Sequence, residues 1–169
     1  MYDLLSGLTV IEGSAFVAAP LGGMTLAQLG ANVIRFDPIG GGMDFKRWPL
    51  DKKGNSLYWS GLNKGKKSIT INIRKEEGRD LIKSLICAPG PENGIFLTNH
   101  PPGGPLNFND LKSKRKDLIM LNILGSHDGT PAVDYTINCA LGYPMATGPR
   151  NSENPVSYTH LTLPTIFAV

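Results

Sequence analysis

Several things are scarce or missing in this 169-residue sequence. It contains no run of about 18 or more apolar residues, so no membrane-spanning helix is expected. Its first residues, Met1-Tyr2-Asp3-Leu4-Leu5, place no basic region ahead of an apolar one, so an ordinary secretory leader is not expected either. Cysteine is rare: Cys87 and Cys139 have no metal-ligand spacing and read as reduced, buried thiols of a cytosolic protein. No G-x-G-x-x-G occurs, which removes the dinucleotide fingerprint. Gly65-Lys66-Lys67-Ser68 lacks the upstream glycine of a phosphate-binding P-loop. No nucleophile elbow is present, so a Ser–His–Asp triad cannot be argued. There is no internal repeat and no coiled coil.

What is present points to one loop-rich globular unit. Hydrophobic residues make up 41%, enough for a core, while 20 glycines and 13 prolines make an all-helical bundle improbable. Charge is uneven. Residues 1–44 carry −3, residues 45–83 carry +7 and residues 84–169 carry −1. A concentrated positive field suits a polyanionic ligand, although a solvated lysine-rich surface has the same composition.

The apolar pattern alternates strand and helix. Leu8–Ile11 and Val33–Phe36 read as short buried strands around a helix opened by Pro20 and stopped at Gly30. Residues 38–67 read as loop-rich, with Gly40-Gly41-Gly42, Trp48-Pro49 and Asn63–Lys67. Ser68–Ile73 alternates like a strand, a helix is expected from Lys75 to Cys87, and Gly94–Thr98 is a further strand. A weak helix over Asn107–Lys116, a strand over Leu118–Leu124 and one helix over Asp134–Ala146 complete the series. That order predicts an α/β fold with a mostly parallel sheet and flanking helices. Ligands of such sheets sit at the carboxyl ends of strands, here Gly13–Pro20, Asp37–Gly42, Asn72–Arg74 and Asn99–Gly104.

Candidates with two readings are several. Asp37 stands where a ribose-binding acid would lie, or simply forms a turn. His100 is in a ligand-loop position after a strand. Asp134 precedes an apolar helix and is either a supporting acid or an N-cap. Trp48, Tyr58 and Trp59 read as core or loop anchors rather than a base-stacking platform, so no nucleic-acid partner is expected.

The ordered set Leu5–Glu12, Leu26–Phe36, Gly41-Gly42-Met43-Asp44 with Arg47, Leu62–Ile69, Glu77-Gly78-Arg79, Asn99 with Pro102-Gly103, and Asp128–Tyr135 resembles the family III CoA-transferases. The resemblance covers about residues 5–156. It implies a Rossmann-like fold and coenzyme A as the ligand of the basic segment. It implies acyl-CoA and a carboxylic acid as partners, no metal, a cytoplasmic setting and an interlocked homodimer. Contacts to CoA carry over to Val17, Ala18, Ile71, Asn72, Ile73, Arg74, Asn99 and His100. Some stretches look most like members that move CoA between two carboxyls of one molecule, an isomerisation.

Two departures stand out near the phosphates: Pro38, and Pro105-Leu106, replace basic residues of some relatives. A larger one follows Val156. The family continues to an aspartate that attacks the thioester and forms a mixed anhydride. Here Ser157–Val169 contains no charge, does not resemble the family, and reads as a translated adapter. The expectation is an amino-terminal CoA-binding part over residues 1–156 and a non-family tail over 157–169. Such a fragment would be inactive, with Asp134 left only as a supporting acid. The rival readings are a nicotinamide-dependent oxidoreductase fragment using Asp37, and a basic nucleotide- or RNA-binding module.

Overall fold

The computed structural model describes residues 3–146. The tail read as non-family lies outside them, as does Thr147-Gly148. Two compact units, Met1–Ile123 and Leu124–Val169, are described separately below.

In the first unit five short strands lie parallel in the order β3-β2-β1-β4-β5. They are β1 (Thr9–Gly13), β2 (Asn32–Asp37), β3 (Lys67–Thr70), β4 (Ile95–Thr98) and β5 (Ile119–Asn122). The β-branched run in β1 is buried on both faces, as a central parallel strand requires. Ile11 sits beside Ile34 on one side and Phe96 on the other.

Side chains alternate between two cores. On one face Ile11, Phe36 and Phe96 pack with Ile82, Ile86 and Leu111. Those last three come from helices α3 (Glu76–Ile86) and α4 (Phe108–Lys114). On the other, Val10, Val33 and Leu97 pack against Ala19 and Ala27 of α1 (Ala18–Gln28). Ile119 and Leu121 of β5 pair in register with Ile95 and Leu97, yet remain 62% and 59% exposed.

Local chemistry sets the boundaries. α1 starts two residues before Pro20, which the first turn tolerates because its N–H groups have no helical acceptor. Gly30, at φ +105°, ends it: the Gly30 N–H donates to Ala27 O and the Ala31 N–H to Leu26 O. In α3, Glu76 and Glu77 occupy the first turn and Lys83 the last, complementing the dipole.

Some expectations are corrected. Residues 57–62 form a short helix, α2 (Leu57–Leu62), capped by the Ser56 hydroxyl accepting from the Trp59 N–H. Its sequence has no helical period and contains Gly61, so the cap was the only signal. The third strand ends at Thr70, because Asn72 turns the chain by accepting from the Arg74 N–H. Cys139 is exposed and Cys87 half-buried, so neither matches a buried thiol. Trp48 is 80% exposed and anchors no core.

The second unit, by itself, holds α5 (Asp134–Ala140) and α6 (Tyr143–Ala146) where one helix was expected. Gly142, at φ +75°, breaks the run.

Candidate functional site

The loops leaving β1 and β4 are tied to each other. The Asn99 Oδ1 accepts from the Ala15 N–H at 3.0 Å, and its Nδ2 donates to Ala15 O at 2.8 Å. One residue earlier, the Thr98 hydroxyl donates to Gly13 O at 2.7 Å and accepts from the His100 N–H. Phe16 follows in the left-handed region, φ +66°, with its N–H donating to Asp44 Oδ2. That turn delivers Val17 and Ala18, both exposed, to the start of α1. The helix there has no side-chain cap and no acid in its first turn. Its leading N–H groups are therefore not taken by an acid of the helix's own first turn.

The loop after β3 is held from both sides. The Ile71 N–H donates to Asp37 O. Arg79 Nη1 donates to Ile73 O at 3.4 Å and Arg74 O at 2.8 Å. Gly78 allows this approach, since a Cβ there would lie 2.1 Å from Asn72 O. Ile71 is buried, Asn72 and Ile73 are half-buried, and Arg74 is exposed.

Between these loops lies a cavity of about 70 Å³, lined among others by Ile73, Arg79, Thr98, His100, Leu106 and Asn122. The His100 ring stands edge-on to Phe36 at 6.4 Å. Burial lowers the His100 pKa, against the opposing pull of Asp37. The Asn122 Nδ2 donates to His100 O, while its Oδ1 is buried without a partner. Of the expected contact residues, Ile73 and His100 line this cavity. Asn99 clamps the loop beside it, while Val17, Ala18 and Arg74 stand on neighbouring stretches of the strand-end rim. Sequence reading assigned no role to Arg79, Thr98 or Asn122. Arg79 was visible only as part of the Glu77-Gly78-Arg79 motif.

On the α1 face, beneath the Ser14–Ala18 loop, lies a buried ionic network. Arg35 is fully buried. Its Nε and Nη2 donate to both oxygens of Asp37 (2.8 and 3.0 Å), and Nη2 also reaches Asp44 and Ser14 O. Lys66 Nζ donates at 2.8 Å to each of Glu12, Pro20 O and Asn63. Burial pushes the Glu12 pKa up, against the lowering effect of Lys66. Asp37 is consumed by Arg35 and is 4% exposed, so it is no ribose ligand. Lys66, part of the basic segment, faces inward. The signal was legible: Glu12 and Arg35 are neighbours in register and share the face of Val10 and Val33.

In the second unit Asp134 is the exposed first residue of α5. The residue before it is the N-cap, and the Val133 N–H donates to the Thr136 hydroxyl, so Asp134 does not cap. Asp128 is a turn former: hydrogen bonds from the Thr130 hydroxyl and N–H lower its pKa to about 2. Among the described residues, no group of three or more His, Cys, Asp or Glu could hold a metal ion, and no helix is long and apolar enough to cross a membrane.

Comparison with known proteins gives a consistent result. The profile of CoA-transferase family III matches residues 5–166. The chain is 58% identical over 159 residues to 2-methylfumaryl-CoA isomerase of Chloroflexus aurantiacus, covering 94% of this chain and 39% of that protein. It is 36% identical over 126 residues to succinyl-CoA–D-citramalate CoA-transferase of the same organism, covering 72% and 30%. A crystal structure of a CaiB/BaiF family protein from Brucella suis superposes with a TM-score of 0.81 at 30% identity, covering 94% of this chain and 44% of that one. The chain thus spans about two fifths of the length of the curated relatives it matches most fully.

Proposed function

This chain belongs to CoA-transferase family III, and from that premise we propose that it binds coenzyme A thioesters along the strand-end rim of its parallel sheet. We further propose that it is the nucleotide-binding part of an enzyme that shifts CoA between two carboxyls of one molecule, a reading that fits the isomerase name of its 58%-identical relative, 2-methylfumaryl-CoA isomerase. One observation carries the reading. Residues far apart in sequence — Val17 and Ala18, Ile71 to Arg74, Asn99 and His100 — stand on loops that leave the carboxyl ends of β1, β3 and β4, pinned by hydrogen bonds, and Ile73 and His100 line one cavity. The thiol carrier has a nucleobase for an apolar cavity, phosphates for helix N–H groups and exposed Arg74, and an extended arm for a rim.

In the complete reaction a carboxylate attacks the thioester carbonyl, the C–S bond breaks, and CoA thiolate leaves as a mixed anhydride forms. The thiolate then attacks the anhydride at the enzyme's carbonyl, giving an enzyme thioester and freeing the substrate carboxylate. The substrate's second carboxylate attacks that thioester and expels the thiolate, which attacks the substrate carbonyl of the new anhydride, forming the isomeric thioester and restoring the enzyme carboxylate. No acid follows Glu153, and the 169-residue chain is proposed to bind without turnover. The full-length protein is proposed to be a cytoplasmic homodimer.

Titration calorimetry of the purified chain with CoA tests the binding. Saturable binding that weakens from 50 to 500 mM salt is expected. Heat indistinguishable from dilution at millimolar CoA removes the proposal. Conversion of 2-methylfumaryl-CoA by the same sample removes the inactivity.

A further inference from the structure

Arg47 is immobilised yet, among the described residues, has no ion-pair partner. The Arg47 guanidinium lies 4.7 Å from the centre of the Tyr58 ring and 5.5 Å from that of Phe16. No carboxylate and no carbonyl takes its N–H groups among the described residues. Its backbone is fixed: the Arg47 N–H donates to Asp44 O, and Arg47 O accepts from the Ser56 hydroxyl. Phe16 is fixed too, through its N–H to Asp44 Oδ2. The acids nearby are already spent, since Asp44 and Asp37 both face Arg35. Stacking against aromatic rings holds the planar group while leaving its edge free. That edge is a fork suited to two carboxylate oxygens.

Position adds to this. Asp44 ties the pieces together: its carboxylate pairs with Arg35 and accepts from the Phe16 N–H, and its carbonyl accepts from the Arg47 N–H, so Arg47 stands over the ring of Phe16, the residue before Val17. The cavity with His100 opens toward the α3 and α4 face, beside Phe96 and Met120. The Ala15–Asn99 clamp joins the β4 loop that carries His100 to the β1 loop that carries Phe16, and an arm laid across it from that cavity would bring its acyl end toward Phe16 and Arg47.

We propose that Arg47 is a specificity-determining residue that receives the free carboxylate of an acyl-CoA whose acyl chain is a dicarboxylic acid. The inference rests on the CoA-binding reading above. Phe16 and Tyr58 hold the guanidinium in place, and the second carboxyl of the acyl chain completes the ion pair that the described residues leave open.

The test compares succinyl-CoA with butyryl-CoA, which has the same carbon count and no carboxylate, by calorimetry on the 169-residue chain. The wild type should prefer succinyl-CoA about tenfold, the size of a charge-assisted hydrogen-bonded pair. In Arg47→Gln the ratio should fall to near one, and Arg47→Lys should restore part of it. An equal affinity for the two thioesters in the wild type overturns the inference while leaving CoA binding intact, as does an unchanged ratio in Arg47→Gln. Absence of any CoA binding overturns both. Because Arg47 is exposed, the variants are expected to keep the wild-type melting temperature.

Discussion

Replacing Lys66 by methionine removes a cation whose side chain is 1% exposed and whose three acceptors each lie at 2.8 Å. Glu12, fully buried, is left with Arg35 at 3.7 Å and the Ser14 hydroxyl at 2.6 Å. Arg35 already serves Asp37 and Asp44, so it cannot compensate a third carboxylate. Breaking a buried pair from one side costs about 3–5 kcal/mol, a large share of the roughly 5–15 kcal/mol that holds a domain together. The melting temperature should fall by about 6–20 °C. The loss should also depend on pH. Burial raises the Glu12 pKa in the folded state above its ordinary 4.5. Its linked contribution is therefore complete below the unfolded value and is lost as pH rises through the folded one. Without Lys66 the folded value climbs further, so the penalty should be largest at pH 7.5 and shrink toward pH 5. Urea unfolding of wild type and variant at both pH values, followed by circular dichroism, measures this. Glu12→Gln combined with Lys66→Met should recover part of the loss. A loss below about 1 kcal/mol at pH 7.5, the size of an exposed pair, would refute the reasoning. So would a loss that does not change with pH.

Two further outcomes follow from the same geometry. Gly78→Ala lies in a helix, where alanine ordinarily gains about 1 kcal/mol, yet its Cβ would meet Asn72 O at 2.1 Å. A net destabilisation of about 1–3 kcal/mol in urea unfolding is expected, together with weaker CoA binding as residues 72–74 shift. His100, lowered by burial, should titrate below 6.5 in a proton NMR experiment on the imidazole. Its contribution to stability is present above the unfolded pKa and lost as pH falls through the folded one, so His100→Gln should flatten the acid limb of the stability curve.

Much of the scaffold was readable from apolar spacing. Four of the five strands fell within a residue or two of expectation because their β-branched runs are bounded by glycine or aspartate. The Gly30 stop is a backbone requirement that few other residues meet. Helix α2 escaped because Ser56 announces it with a hydroxyl rather than a period. The split between α5 and α6 escaped because Gly142 is apolar by composition and acts only through its positive φ. The rim residues were named from resemblance, and their neighbours Arg79, Thr98 and Asn122 were not, since each acts through a partner distant in sequence. The ionic network had a local clue. Two charges opposite one another on central strands, amid valine and isoleucine, are too costly to bury unless they meet.

The outward row of Ile119 and Leu121 on β5 gives the molecule one greasy flank. Among the described residues no strand pairs with the far side of β5, so backbone donors and aliphatic carbon are offered to water together. At high concentration that flank is where molecules should begin to clump. A lysine at Leu121 should raise the protein's solubility limit and leave the opposite core, against which Met120 packs, as it was.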